Sequence, residues 1–451
     1  MSATRTGAPM LSDRVGLVAA PTQLWADADG STRARGINGL YNGDWRILSG
    51  IDIQVVDAPL ETIWMHRDTD RLTMVAHCAT LDDASKDPRV LVESELRVTP
   101  GSLSIAVTAS NATDRSITAV IRVALDVSLE PIDLLRAGMS APEPYRLAHL
   151  AQSIAISVDD RSVVVSADDA RLVHDDSRVI AEWALELEPG RSARHELAIA
   201  MEDATLALAG GGMTPWREHP LSGDRRLDRW IATAQADLRG LTLVRSEHPD
   251  EPFVAAGAPW YLTLFGRDSL TTARMMLPLG TDLALGTLRA LARMQGTRVD
   301  AVTGEQPGKI LHEYRSAPIR IPRDGVVLPP VYFGTIDATL LWVSLLHATW
   351  RAGAPELEIR SLLPALLRAL TWMRDTADSD GDGFVEYLDP AGSGLANQGW
   401  KDSADAVRHA DGAAAVGPIA LCEVQGHYCR AALDAAELLG AFGEPGEGEW
   451  R

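Results

Sequence analysis

The hydrophobic pattern of this chain changes period once, and that change limits what it can fold into. From about Gly16 to Met201 apolar residues recur at every second position. LVESELRV (91–98), SLSIAVTAS (102–110) and ITAVIRVALDV (117–127) alternate apolar with polar residues. Thr99-Pro100-Gly101 and Asn111-Ala112-Thr113-Asp114 punctuate them as turns. SIAISVDD, SVVVSADD and VIAEWALELEPG carry the rhythm to Gly190. Successive side chains of a strand point to opposite faces, so alternation predicts strands with one buried face. Short, regularly spaced strands with turn signals predict an antiparallel β-sandwich over residues 1–210. After Gly210-Gly211-Gly212 the period becomes helical. Apolar residues at i, i+3, i+4 and i+7 predict helices over Asp224–Val244, Arg267–Leu277, Thr281–Met294, Ile336–Trp350, Leu357–Thr376 and Gly417–Phe442. Residues 211–451 therefore read as an all-α domain whose long loops carry function.

Composition narrows the function classes. A chain of 451 residues with 46% hydrophobic residues has material for two or three cores. A formal charge of −20 argues against nucleic acid, whose phosphates require a basic surface, and suits a neutral ligand. No run of eighteen apolar residues suggests a membrane span, and MSATRTGAPMLSDRVGLVAA lacks the apolar core of a secretory signal. The three cysteines, Cys78, Cys422 and Cys429, show neither disulfide nor metal spacing. Cytoplasmic residence is expected, and Cys422 and Cys429, seven apart on one helix face, read as core thiols. Asn111-Ala112-Thr113 is a glycosylation pattern with no meaning absent export. No phosphate-binding glycine loop follows a strand, so no organic cofactor is implied. Oligomeric state is not legible.

The segment from Asp378 to Ala406, DSDGDGFVEYLDPAGSGLANQGWKDSADA, is dense in carboxylates and carries Tyr387, Trp400, Asn397 and Gln398. A core element does not tolerate that charge, and a linker does not need the aromatics. Faces to stack on and groups to hydrogen-bond hydroxyls are what a sugar site requires. Its first part also matches an EF-hand loop, with Asp378, Asp380 and Asp382 at positions 1, 3 and 5, and Gly383 at position 6. Position 12 is Asp389 rather than a bidentate Glu, and PAGSG follows instead of a helix. Calcium is thus the lesser reading. The greater one is a turn that projects Glu386 and Tyr387 into a cleft.

Four further stretches complete the pattern: AGAPWYLTLFGRDSL (256–270), GEQPGKILHEYR (304–315), YFGTIDATL (332–340) and EVQGHYCRA (423–431). With NQGWKDSADA (397–406) they resemble, in order, the amylo-α-1,6-glucosidase type of glycogen debranching protein, a glycosidase built on an (α/α)6 barrel. GLYNGDWRILSGIDI (39–53) resembles the β-sandwich domain that precedes such barrels. The resemblance implies that Asp402 is the general acid protonating the glycosidic oxygen. Arg267 and Asp268 would grip hydroxyls of the sugar, and Trp260 and Trp400 would flank it. His312, Glu313, Asp337, Gln398 and Lys401 would line the same site. It further implies inversion with a second carboxylate as base, normally near the end of the barrel. Twelve helices need roughly 300–400 residues, so about half a toroid is expected here, with the acid but not the base. A half-toroid should expose an apolar patch along 336–350 and 417–442. The implied substrate is an α-glucan such as glycogen or a limit dextrin. A binding or scaffolding protein that retains part of the barrel is the alternative.

The chemistry fits independently. Inverting hydrolysis needs a protonated acid and a carboxylate base about 6.5–9.5 Å apart. The acid keeps its proton near neutral pH through burial or a neighbouring carboxylate. Asp405 is a candidate like-charge neighbour of Asp402, and Lys401 opposes it. Structural roles compete at each position. Asp402, Asp268 and Asp337 could each cap a helix, Trp260 and Trp400 could be core aromatics, and His312-Glu313 could be a polar loop contact. Glu423 and Gln425 read as supporting groups at the start of the last helix.

Overall fold

The alternating residues form strands at nearly the positions their pattern marks. The computed structural model describes residues 4–5, 11–83, 87–175, 177–218, 222–389 and 391–451. The chain divides into two compact units, one of Met1–Leu206 with Ala258–Trp260, the other of Ala207–Gly257 with Tyr261–Arg451.

The first unit holds two large antiparallel sheets. One runs in the order Arg171–Asp175, Arg178–Leu187, Ile117–Pro131, Trp45–Val55, Gly39–Asn42, Thr22–Asp27, Arg14–Ala19. The other runs Arg146–Leu150, Ser153–Val158, Arg161–Ala167, Arg191–Asp203, Ser102–Asn111, Val90–Thr99, Arg71–His77, Glu61–Arg67. A single apolar cluster draws Leu24, Leu48, Ile121, Val123 and Ala181 from the first sheet, and Leu72, Leu96, Ile105, Ile154 and Ile199 from the second. The strand Val90–Thr99 shows the cause plainly: Val90, Val92, Ser94, Leu96 and Val98 are buried while Glu93, Arg97 and Thr99 are exposed. Asn111 of the glycosylation pattern is buried, its amide nitrogen donating to the carbonyls of Arg115 and Leu187. Helix α1 (Ile132–Arg136) adds a short turn after the longest strand.

The second unit contains α2 (Arg225–Gly240), α3 (Gly266–Met276), α4 (Asp282–Arg293), α5 (Ala338–Arg351), α6 (Glu356–Asp375) and α7 (Cys422–Phe442). Asp224 caps α2 through its carboxylate, which accepts from the backbone N–H of Arg226 and Leu227. Helix α5, ATLLWVSLLHATWR, is apolar on nearly every side, and it lies against α3, α4, α6 and α7. The exposed apolar patch expected along 336–350 is therefore absent, because α5 is the central helix of the unit. On α7 only Leu433 among the large apolar residues is exposed.

Three other expectations need correction. The second unit is not all-α, since three small antiparallel sheets interrupt the helices. Several of their strands are only two or three residues long, too short for alternation to show, and the seven-residue His248–Val254 is broken by Pro249 and Pro252. The last helix starts at Cys422 rather than Gly417, because Pro418 disfavours helical backbone at its predecessor and Ile419 pairs with Tyr387. Cys422 and Cys429 are exposed rather than core thiols, since α7 buries the face of Val424, Ala431, Ala435 and Leu438.

Candidate functional site

Three of the sequence motifs are brought together by one small sheet. Leu264–Phe265 pairs with Glu313–Tyr314, which pairs in turn with Val331–Tyr332. FGRD, HEYR and YFGTID, far apart in the chain, thus run side by side. Helix α3 begins directly after this strand. Its first residue must be glycine: a Cβ on Gly266 would lie 2.2 Å from the Leu311 carbonyl oxygen. That approach lets the Gly266 N–H donate to the His312 carbonyl, which sets Arg267 and Asp268 in the first helical turn.

Arg267 is the hub. It is buried, and its Nη1 donates to Asp337 Oδ2 at 3.1 Å and to the Gly399 carbonyl at 2.7 Å, while Nη2 reaches Asp402 Oδ2 at 3.5 Å. Asp337, at the N-terminal boundary of α5, also accepts from Thr335 Oγ1 at 2.8 Å. The fourth motif is held by a backbone bond, Ile336 N–H to the Gln398 carbonyl at 3.0 Å. Asn397 reinforces it, its Nδ2 donating to the Ser403 carbonyl at 2.7 Å and its Oδ1 accepting from the Tyr387 hydroxyl at 2.7 Å. One guanidinium therefore ties α3, α5 and the 397–403 loop together.

The site offers distinct surfaces. Trp400 is 62% exposed, with its ring 5.6 Å from the Arg267 guanidinium carbon. The Asp402 side chain is 45% exposed, so it meets both solvent and the buried cation. It caps no helix, because residues 401–406 are irregular, and Asp405 pairs instead with Arg408. Asp268 caps none either, since α3 starts before it. Burial pushes the Asp268 carboxyl above the usual carboxylate range; Arg267 opposes the shift, and Asp337 and Asp402 add to it. Lys401 is exposed.

Behind this face the site is buried. His312 is buried with its edge contacts on Phe265 and Tyr332, at ring separations of 5.4 and 5.9 Å. Burial, then Arg267 and Lys309, push its pKa down to about 3, so the imidazole is neutral. Among the described residues its Nδ1 has no hydrogen-bond partner. Burial likewise lowers the Lys309 amine to about 8. Glu313 accepts from Arg315 Nε, a buried ion pair.

Three expected site residues are placed elsewhere. Glu386 does not project outward: its Oε1 accepts from Ser379 N–H at 2.8 Å, Ser379 Oγ at 2.5 Å and Asp380 N–H at 3.1 Å. The loop's own unpaired donors claim that carboxylate. Tyr387 is buried and spends its hydroxyl on Asn397. Trp260 belongs to the first unit, packed with Ile37, Tyr41, Ile132 and Leu135, as a core aromatic. Carboxylate oxygens of Asp378, Asp380 and Asp382 lie within 4.8 Å of one another. Both Asp378 oxygens, however, accept backbone N–H bonds from Gly381 and Gly383. Asp389 is turned to the N–H groups of Ala391 and Gly394. The residues at positions 1 and 12 thus brace the loop's own backbone, while the oxygens of Asp378, Asp380 and Asp382 keep lone pairs that could hold a cation. Sequence reasoning also passed over Thr335, the Gly399 carbonyl and the bracing role of Asn397. Only Asn397 carried a signal, by standing inside the NQGWKD motif.

Residues 17–198 match the family described as the N-terminal domain of (some) glycogen debranching enzymes. Over its whole length the chain shares the fold of a bacterial glucoamylase solved with acarbose, at TM-score 0.52 and 11% identity, and covers 66% of that protein. A candidate kojibiose phosphorylase from the human microbiome is similar over 86% of this chain and 61% of its own, at TM-score 0.48 and 9% identity. A galactose mutarotase-like protein from Lactobacillus casei is similar over 42% of this chain and 100% of its own, at TM-score 0.27 and 9% identity. No curated protein matches the chain in sequence. The domain match and the glucoamylase fold together support a glycosidase-like enzyme. Among such enzymes, the domain matched is the one found in glycogen debranching enzymes. No helix among the described residues is long and apolar enough to cross a membrane.

Proposed function

We propose that the chain is a glycoside hydrolase of the debranching type, acting on α-glucosidic links of glycogen or limit dextrins, with α-1,6 branch points preferred. The carrying observation is the Arg267 hub. It gathers Asp268, Asp337 and Asp402 beside the exposed face of Trp400, and leaves Asp402 facing both cation and solvent. The helical unit is read as of the (α/α)6 type, which its glucoamylase-like fold supports, although the covered faces of α5 and α7 do not bear out the open flank expected of a half-toroid.

In this reading the sugar stacks on Trp400, and its hydroxyls exchange hydrogen bonds with Asp268 and the buried polar groups around Arg267. Asp402 donates its proton to the glycosidic oxygen as the bond to the anomeric carbon breaks. A water activated by a second carboxylate attacks from the opposite face, inverting the configuration. The reading assigns the acid to Asp402 and leaves the base unassigned. Three free cysteines are consistent with a reducing cytoplasm as the working compartment.

The test is glucose release from a limit dextrin by the full-length gene product and by Asp402→Asn. Release that falls at least about a thousandfold in the variant supports general-acid catalysis. Dextrin binding without any release would instead establish a carbohydrate-binding protein.

A further inference from the structure

The hairpin of Thr242–Arg245 and His248–Val254 departs from regular pairing at one place. Leu243 pairs with Phe253 and Arg245 with His248, so the four residues 249–252 stand opposite Val244 alone. Two of the four are prolines, Pro249 and Pro252, which have no N–H to give to the ladder. A bulge of this kind re-aims side chains. In a regular strand Asp250 and Glu251 would point to opposite faces. Here a ring nitrogen of His248, a carboxylate oxygen of Asp250 and one of Glu251 all lie within 4.8 Å of one another.

Glu251 is the informative member. It is 0% exposed and lies against α4, which approaches so closely that a Cβ on Gly286 would sit 2.4 Å from the Pro252 carbonyl oxygen. Arg293 of the same helix donates from Nε to Glu251 Oε1 at 2.6 Å. Oε2 is buried too, and among the described residues it has no hydrogen-bond partner. A buried carboxylate oxygen left without a donor is costly, and folded proteins rarely tolerate one. With Oε1 taken by Arg293, Oε2 is the oxygen left to complete the cluster. The side chains of His248 and Asp250 are uncommitted, since among the described residues neither makes a hydrogen bond or an ion pair.

We propose that His248, Asp250 and Glu251 bind one divalent transition-metal ion of the zinc type. An imidazole with two carboxylates is a donor set that suits zinc, and three protein ligands leave one tetrahedral position to water. Metal bonds of about 2.0–2.2 Å hold such ligands about 3–3.5 Å apart, so modest side-chain rotations close the set. The Arg293 bond to Oε1 is the kind of outer contact that orients a ligating carboxylate. The ion supplies what Oε2 lacks and ties the bulge to α4. Calcium takes roughly six to eight oxygens and is poorly served by this set.

Isothermal titration of zinc chloride into the chelator-stripped full chain tests the site, and the readout does not depend on sugar cleavage. One zinc should bind per chain with a Kd of about 100 μM or tighter, and calcium chloride at equal concentration should not displace it. His248→Gln and Asp250→Asn should each weaken binding about tenfold or more, as loss of a ligand costs at least as much as loss of an outer contact. Zinc should also raise the Tm of the wild type and not that of His248→Gln. His248 is half-buried and Asp250 exposed, and circular dichroism verifies that both variants are folded. A wild-type chain that binds zinc more weakly than about 100 μM overturns the proposal. So does a variant of either kind that binds zinc as the wild type does, because the ion then sits on other groups, such as the exposed thiols of Cys422 and Cys429. Displacement by an equal concentration of calcium overturns it as well.

Discussion

Replacing Arg267 with alanine should be the most damaging single change in the second unit. The guanidinium is buried against an equally buried Asp337, with its second Nη1 bond going to the Gly399 carbonyl. Removing one member of a buried ion pair strands the other charge, at about 3–5 kcal/mol. The lost bond to Gly399 adds about 1 kcal/mol or more. The bond to Asp402 is long and half-exposed, and contributes at most about 1 kcal/mol. These terms are not additive, and Asp337 keeps its bond from Thr335, so a total near 4 kcal/mol is expected. Arg267→Lys keeps the charge but loses the fork that serves Asp337 and Gly399 together, and should cost about half as much. Urea unfolding followed by circular dichroism gives the stabilities. Amide exchange over 395–403 shows whether that loop is released. A loss below about 1 kcal/mol, with the loop still protected, would refute the hub argument.

The remaining predictions concern its supports. His347 on α5 faces Asp434 at 3.0 Å through Nδ1 and Glu437 at 2.7 Å through Nε2, both on α7. Burial alone would lower the imidazole pKa, but the two hydrogen bonds outweigh it and raise it. A raised folded-state pKa means the contribution is complete below the ordinary histidine value of about 6.5 and is lost as pH rises through the higher one. His347→Gln should therefore destabilise by about 2 kcal/mol at pH 6 and by less at pH 9, measured as the difference from wild type in urea; a gap that grows with pH would be wrong for this reading. Asn397→Ala leaves the buried Tyr387 hydroxyl and the Ser403 carbonyl unpaired, at about 1–3 kcal/mol, and should slow glucose release further by loosening Asp402. Tyr387→Phe is the control and should cost less. Glu386→Ala should raise the protease sensitivity of residues 378–386 without a proportionate loss of sugar binding, because its carboxylate serves Ser379 and Asp380.

The change of period at the glycine run was enough to order the fold: strands first, helices after. Helices α2–α7 were located within a few residues except the start of α7, while the five-residue α1 was not foreseen. Such patterns are local, set by which face of an element meets a core, so the sequence carries them directly. Of the motifs, NQGWKD stood in a segment marked by its own density of polar groups, whereas FGRD, HEYR and YFGTID were marked by resemblance to glycogen debranching proteins.

How they combine was a matter for the tertiary structure. Two-residue strands with no readable periodicity bring three motifs into register. A backbone bond from Ile336 adds the fourth. Which polar groups stay exposed was decided there too. In the sequence Trp260 was expected to flank the sugar with Trp400, and Glu386 to project into the cleft. The first went to a core and the second to its own loop, because a buried donor or an uncovered apolar surface claims the nearest partner. Composition gives a residue its chemistry; the competition for partners in three dimensions determines whether that chemistry remains available.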